Sequence, residues 1–187
     1  EVLSNYIRKR FMTKEQRAKI QKAVPVGMSN FDIDSDNFIY TCTSATVGLD
    51  VGTEQIRKLN PKSINVLPKN SSILPQYKSV YGDLKANWAS GRVNTTTFAD
   101  VVYDEEGYIN CIDDTRGRIF QYDEESNLLF AFGNDGDQKG TFQRPIAIEC
   151  YDGRIYVLDC VKLNIVILKK TQYCEYLHSA VNLYREG

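Results

Sequence analysis

The chain has 187 residues, 42% of them hydrophobic and 11% aromatic, which suits one domain with a packed core. The 23 basic residues nearly balance the 24 acidic ones, so we expect no nucleic-acid partner. No apolar run approaches the roughly 18 residues of a membrane span, and the first residues lack the order of a signal peptide. We therefore expect no direct membrane insertion by this segment, and a chain that opens on Glu1 is expected to be a fragment or a processed product.

Residues 1–25 are predicted to form a helical segment. Leu3, Ile7 and Phe11 recur at helical spacing, and Thr13 to Gln16 resembles a capping box that begins a second short helix. Lysines and arginines make this end locally basic, and we interpret them as a solvated helix face in preference to a partner-binding site.

A first repeat is predicted over about 28–68, where apolar residues alternate as in a strand and Asp36-Asn37 forms a tight turn. Asp32, Asp34 and Asp36 imitate the opening of a calcium loop. The sixth position of that loop is Asn37 instead of glycine, and its twelfth is a threonine instead of glutamate, so we expect no calcium there.

An insertion follows over 69–97 and carries Tyr77, Tyr81 and the single tryptophan, Trp88. Insertions on a repeat scaffold often lie on one face and contact a ligand. These three aromatics are therefore candidate ligand contacts. The insertion could equally fold back as a lid on its own sheet.

A second repeat, about 98–133, reads as four short strands separated by turns, which is the make-up of a propeller blade. A third repeat, 142–170, follows a glycine-spaced connector and contains a turn at Asp152-Gly153. Shifting it back by 46 residues places Ala147-Ile148 on Val101-Val102 and Asp159 on Asp113. A repeat of this length with several strands per unit indicates a propeller.

Residues 171–187 change to helical spacing and are predicted to form a C-terminal helix that Gly187 stops. His178, the single histidine, lies beside the apolar stripe of this helix, and we expect it to be structural. The five cysteines contain no C-x-x-C pair, and we expect Cys42, Cys111 and Cys150 to be buried as small apolar side chains.

The connector F-G-x-x-G-x-x-x-G-x-F-x-x-P (Phe132 to Pro145) followed by G-R-I-Y-V-L-D (Gly153 to Asp159) resembles the NHL-repeat family of β-propellers. The segments 12–17 and 180–187 more narrowly resemble uncharacterised extracytoplasmic NHL-repeat proteins of Gram-positive bacteria. That resemblance implies an extracytoplasmic location, secreted or membrane-anchored in the full-length protein. It also implies that the last helix opens a tetratricopeptide-like region and that the gene neighbourhood encodes carbohydrate-transport components.

The predicted fold class is thus all-β: a β-propeller of about three four-stranded blades in a partial ring, with an N-terminal helical segment and a C-terminal helix. Only three blades are visible, whereas propellers use four to eight. Two sheet faces would then stand open. We expect the missing blades to be outside this chain, or the open face to be covered by a second copy or by residues 1–24, which light scattering on the isolated chain can test.

Two functions follow from the resemblance. The first is a non-enzymatic binding or scaffold module for a protein or carbohydrate ligand, possessing no catalytic, cofactor or metal residues. The alternative is a metal-dependent lactonase-like hydrolase of the gluconolactonase type, which would hold one divalent cation; Asn30, Asp100 and Glu149 are its most suggestive positions, although they form no recognisable set. Asp113 and Asp159 are expected to hydrogen-bond the backbone of the turns that follow them.

Overall fold

The structure is a computed structural model that describes residues 27–43, 55–68, 81–83, 85–87, 92–94 and 96–187. The helices predicted within residues 1–25 lie outside the described residues. The described strands and the helix are β1 (Asn30–Ile33), β2 (Ile39–Cys42), β3 (Ile56–Leu59), β4 (Lys85–Asn87), β5 (Arg92–Asn94), β6 (Phe98–Tyr103), β7 (Ile109–Asp113), β8 (Arg118–Tyr122), β9 (Leu128–Phe132), β10 (Pro145–Tyr151), β11 (Arg154–Asp159), β12 (Asn164–Lys169) and α1 (Gln172–Glu186).

The strands form successive antiparallel meanders, β1-β2-β3, β6-β7-β8-β9 and β10-β11-β12, which we call the first, second and third blades. A separate two-stranded sheet, β4-β5, lies in the chain between the first and second blades. The first strand of the second blade, β6, contacts the first strands of both other blades, β1 and β10. Sheets that succeed one another in this way are propeller blades. The predicted fold class, a partial all-β propeller with a C-terminal helix, is confirmed, and the described strands number three, four and three per blade.

The second blade has a hydrophobic core on each of its faces. Val101, Cys111 and Phe120 pack toward the first blade, while Ile112 and Ile119 pack with the third blade. This is the period-two alternation of a strand, with both faces apolar because both are covered. Every residue of β7 is buried as a result.

The third blade repeats the second with a change of register in its first strand. Val101 pairs with Cys111, and Ile148 pairs with Val157, so Ile148 is the structural equivalent of Val101. The predicted alignment of Ala147 with Val101 is therefore wrong by one residue in this strand. The cause is the hairpin, which has five residues between the pair Tyr103–Ile109 and four between the equivalent pair Cys150–Ile155.

Aspartates stabilise the turns between strands. Asp34, Asp104 and Asp123 each accept two backbone N–H groups, from the second and fourth residues after them, at 2.7 to 3.0 Å. This is the Asx-turn behaviour that makes aspartate a hairpin residue. Asp34 of the calcium-loop imitation is therefore occupied by its own turn. The turn predicted at Asp152-Gly153 is present, with φ of 50° and 66°, as a two-residue hairpin requires.

The connector closes the gap between the second and third blades. Phe142 is fully buried in the core that the two blades share. Gly133 has φ of 84°, and a Cβ there would lie 2.6 Å from the carbonyl oxygen of Gly117, so the connector can approach this closely only with glycine. Asp159 accepts the N–H groups of Val161 and Lys162, each at 3.0 Å, as predicted.

Asp113 accepts the N–H of Thr115 at 2.8 Å, which confirms the same prediction for the second blade.

The five cysteines are free thiols; Cys42 and Cys111 are buried as expected, and Cys150 is half-buried.

The N-cap of helix α1 is Thr171, whose hydroxyl accepts the N–H of Cys174, and its C-cap is Gly187. His178 is its buried residue. Of the helices in the described ranges, none has the length and apolarity to cross a bilayer.

Candidate functional site

A cleft of about 390 Å³ lies where α1 leaves the third blade and passes the second. We call it the interblade cleft. Its lining comes from β8 and β9 of the second blade, from all three strands of the third blade with the turn at 151–154, and from the first turn of α1. The turn between β6 and β7, residues 104–106, completes the lining.

The walls of the interblade cleft are mainly apolar. Phe130 and Phe132 of β9 face Ile155 and Leu168 of the third blade. Tyr173 of α1 meets Phe130 edge to face, with ring centroids 6.0 Å apart. Apolar and aromatic walls with few polar groups are the usual lining of a ligand site.

Charged residues of both signs surround this apolar lining. Arg154, Lys169 and Lys170 contribute positive charge, and Glu105, Glu106 and Asp152 contribute negative charge. Lys170 and Glu106 form an ion pair. Burial opposes ionisation of Glu106, but the neighbouring Lys170 and His178 outweigh it and lower the pKa of this carboxyl.

A chain of polar side chains runs behind the cleft. Asn110 donates through Nδ2 to Asp104 at 3.0 Å and accepts through Oδ1 from Gln121 at 2.9 Å. Gln121 then presents Oε1 to His178 Nε2 at 2.7 Å. Since the Asp104 carboxylate accepts only, it orients both amides, and His178 Nε2 carries the donated proton.

The other ring nitrogen of His178, Nδ1, lies 3.2 Å from Glu106 Oε2, and the ring stacks on Tyr108 with centroids 4.0 Å apart. Burial lowers the pKa of His178 below its ordinary value of 6.5, although Glu106 favours the charged form. The predicted structural role of His178 agrees with this geometry, because the ring joins α1 to the second blade.

Cys174 lies one helical turn before His178, and its Sγ is 3.6 Å from His178 Nε2. The pair, with Glu106 behind it, has the outline of a cysteine nucleophile with its base. Two observations oppose that chemistry. His178 Nε2 already donates to Gln121, and burial, aided by Glu106 and Asp104, raises the pKa of the Cys174 thiol.

Of the three predicted ligand-contact aromatics, the structure describes one, Tyr81, and it does not line this cleft. Tyr77 and Trp88 lie outside the described residues. Tyr81 belongs to the core between the first two blades, with an exposed fraction of 4%, and its hydroxyl hydrogen-bonds Ser126 at 3.1 Å. Tyr81 therefore offers little surface to a ligand.

The candidates of the lactonase alternative lie on the first strand of each blade: Asn30 on β1, Asp100 on β6 and Glu149 on β10. Each accepts the N–H of the residue that follows it, at 2.8 to 2.9 Å. Asp100 also accepts the N–H of Ile148 at 2.8 Å through its second oxygen, so both oxygens hold backbone. Within the described ranges, no group of three or more histidine, cysteine, aspartate or glutamate residues has a geometry that could hold a metal ion.

Asp32 repeats the contact that Asp100 makes. Its Oδ1 accepts the next N–H at 2.8 Å, and its Oδ2 accepts the N–H of Tyr103, in the following blade, at 2.8 Å. We call this arrangement, in which one carboxylate bridges an amide of its own strand and an amide of the next blade, the carboxylate clamp. Burial raises the pKa of Asp100, while the two amides that it accepts lower it.

These features place the described residues in the class of β-propeller-like proteins. No protein-family model matches the chain, and no curated protein matches it. A solved structure of a catalytically inactive virginiamycin B lyase from Staphylococcus aureus, crystallised with quinupristin, is similar over 82% of this chain, with 13% identity and a TM-score of 0.41.

A streptogramin B lyase structure is similar over 81% of the chain, with 9% identity and a TM-score of 0.41. The chain spans 45% and 43% of the lengths of these two proteins. At such identities neither likeness assigns an activity to this chain.

Proposed function

We propose that this chain is a non-enzymatic binding module that receives an apolar segment of a protein ligand in the interblade cleft. The observation that carries the proposal is the lining: Phe130, Phe132, Ile155 and Leu168 are partly buried apolar residues that line the cleft together with charged residues of both signs. An apolar side chain would bury its surface against these walls, at about 25 cal/mol for each Å² removed from water. Opposite charges beside that side chain would select its flanking residues.

A carbohydrate ligand has less support than a protein segment. Sugars need several polar groups aimed at their hydroxyls, whereas three of the polar side chains in the lining, Gln121, Glu106 and Lys170, are engaged with other side chains. Gln121 is held by Asn110 and His178, and Glu106 by Lys170. A maltooligosaccharide therefore serves as the comparison ligand in the test below.

Two exposed tyrosines of α1 provide a matched pair of variants. Tyr173 lines the cleft and is 70% exposed, while Tyr176 is 65% exposed and lies outside the cleft. Binding of short Leu- and Phe-containing peptides, followed by NMR chemical shifts, should weaken about tenfold in Tyr173→Lys, because a lysine cannot replace the aromatic contact. Tyr176→Lys should bind as the wild type does. Equal loss in both variants, or saturable binding of the oligosaccharide alone, would refute the assignment.

The alternative, a metal-dependent lactonase-like hydrolase, would need carboxylate oxygens free to bind a cation. Asp100 has both oxygens on backbone amides, which disfavours it as a ligand. Elemental analysis of the purified chain decides between the two: stoichiometric divalent metal that survives dialysis would favour the hydrolase.

On the resemblance, we also propose that the chain belongs to NHL-repeat propellers of extracytoplasmic Gram-positive proteins linked to a transport system. The helix α1 supports a following tetratricopeptide-like region, because Leu183 and Tyr184 are 68% and 83% exposed and suit a packed neighbour. Protease accessibility of the full-length protein in intact cells tests the location.

A further inference from the structure

We propose that the outer face of the third blade is a docking surface for a further β-blade carried by a partner polypeptide, and that Glu149 is its hydrogen-bonding anchor. The outer face is the side turned away from the second blade. It carries Leu158, Ile165 and Ile167, which are 40%, 61% and 53% exposed. In the second blade, the equivalent side is covered by the third blade.

The carboxylate clamp is the feature that continues onto this face. Asp32 joins the first blade to the second, and Asp100 joins the second to the third, each through one oxygen to its own strand and one to the next blade. Glu149 makes the first half of the clamp, accepting its own neighbour's N–H through Oε1 at 2.9 Å. Among the described residues nothing donates to its Oε2. Glu149 pairs opposite Tyr156 and Asp32 opposite Tyr40, which sets both at the same place in their blades.

The residue that precedes the bound amide decides which kind of blade can complete the clamp. Asp32 can reach the N–H of Tyr103 because the residue before it, Val102, has no carboxylate to occupy that amide. Asp100 reaches Ile148 because the residue before it is Ala147. A blade that completes the Glu149 clamp must therefore carry a residue without an acceptor before the amide that Glu149 is to bind.

The first blade of a second copy does not meet this requirement. In its first strand, β1, the N–H groups of Phe31 and Ile33 already donate to the side chains of Asn30 and Asp32, at 2.9 and 2.8 Å. A head-to-tail second copy would thus present no free donor to Glu149. The second blade would fit, with its Tyr103 amide, but in this chain it is covered on both faces. A blade of the second-blade type, carried by a partner polypeptide, meets the requirement.

The probe is a backbone-cyclised hairpin with the sequence of residues 98–113, whose cross-strand NOEs are established first. Titrated against the full 187-residue chain, it should bind saturably, and N-methylation of its Tyr103 amide should weaken binding about tenfold through loss of one charge-assisted hydrogen bond. Glu149→Leu should produce a similar loss, and the N-methylated hairpin should lose little more against that variant. Glu149→Gln keeps an acceptor and should bind at an intermediate level.

Two further variants separate docking from general loss. Ile165→Lys, on the outer face, should abolish binding, and Glu175→Leu, on α1, should leave it unchanged. No binding by the folded hairpin, or binding that is indifferent to N-methylation, overturns the proposal. Sedimentation velocity of the chain alone provides the last check: head-to-tail association that Glu149→Leu abolishes would show that a second copy, and not a foreign blade, is the occupant.

Discussion

The second and third blades share one sequence pattern and differ in what covers them. Phe120 and Ile119, neighbours on β8, are both fully buried, one on each face of the second blade. On β12 of the third blade Val166 packs toward the second blade, while Ile165 is 61% exposed. Both strands alternate apolar residues on two faces, so the sequence specifies a blade with two neighbours in each case. The comparison shows that a propeller blade is complete only in the presence of the next one.

The largest expected effect is the difference in free energy of unfolding between truncating an apolar side chain in the second blade and truncating one on the outer face of the third blade. Phe120→Ala should cost about 3–5 kcal/mol, because it leaves a cavity in the core between the first and second blades. Ile165→Ala, on the outer face, should cost less than about 1 kcal/mol because the side chain is already in contact with water. Urea unfolding followed by circular dichroism measures both values. Similar costs would mean that the outer face is covered in solution.

A smaller effect is expected from breaking a clamp. Asp100→Ala removes the acceptor for two backbone amides, one of which belongs to the buried Ile148, and should destabilise by about 1–3 kcal/mol. Glu149→Ala removes a half-made clamp at an exposed position and should change stability by less than about 0.5 kcal/mol. The same unfolding experiment applies. A larger loss for Glu149 than for Asp100 would contradict the interpretation of Glu149 as a half-made clamp.

The smallest expected effect is the pH dependence that His178 contributes. Its pKa in the folded protein is lowered from 6.5 by burial, so the unfolded chain binds the proton first as pH falls. The contribution of His178 is complete above pH 6.5 and declines as pH falls below that value. Glu106, Lys170, Asp104 and Cys174 are the charged or titratable groups that act on the ring.

His178→Gln should therefore reduce the loss of stability between pH 7.5 and 5.5, measured by urea unfolding at both values. Lys139→Gln, in the connector and far from the ring in the sequence, serves as the control. An unchanged slope in His178→Gln would show that His178 does not titrate in this range.

The sequence predicts those parts of the fold that depend on local chemistry. The hairpin turns at Asp36-Asn37 and Asp152-Gly153 and the contacts of Asp113 and Asp159 follow from residues close in the chain. The register of β10 is not predicted by local chemistry. The hairpins of the second and third blades differ in length by one residue, and a shift of one residue moves every side chain of a strand to the other face.

The candidate site is less predictable because it is assembled from distant residues. Gln121, Glu106 and His178 come from three parts of the chain, and no spacing in the sequence announces their contact. The four-residue interval from Cys174 to His178 is the one signal that could have indicated it, since such an interval places two side chains on one helix face. Tyr81 shows the same limit from the other side: an aromatic residue in an insertion suggests a ligand contact, and no local signal in the sequence indicates that its ring packs in a core.

The cysteines provide a way to measure how often the interface between two blades, here called a joint, opens. Cys42 and Cys111 lie in the joint between the first and second blades, and burial raises the pKa of Cys42 to about 11 and that of Cys111 well above its ordinary value. Cys150 lies at the joint with the third blade and is half-buried. Cys150 also lines the interblade cleft, so a thiol reagent can reach it in the folded chain, whereas Cys42 and Cys111 become accessible only when their joint opens. The labelling rates of Cys42 and Cys111 relative to that of Cys150, resolved by mass spectrometry, therefore report the opening of the joint between the first and second blades.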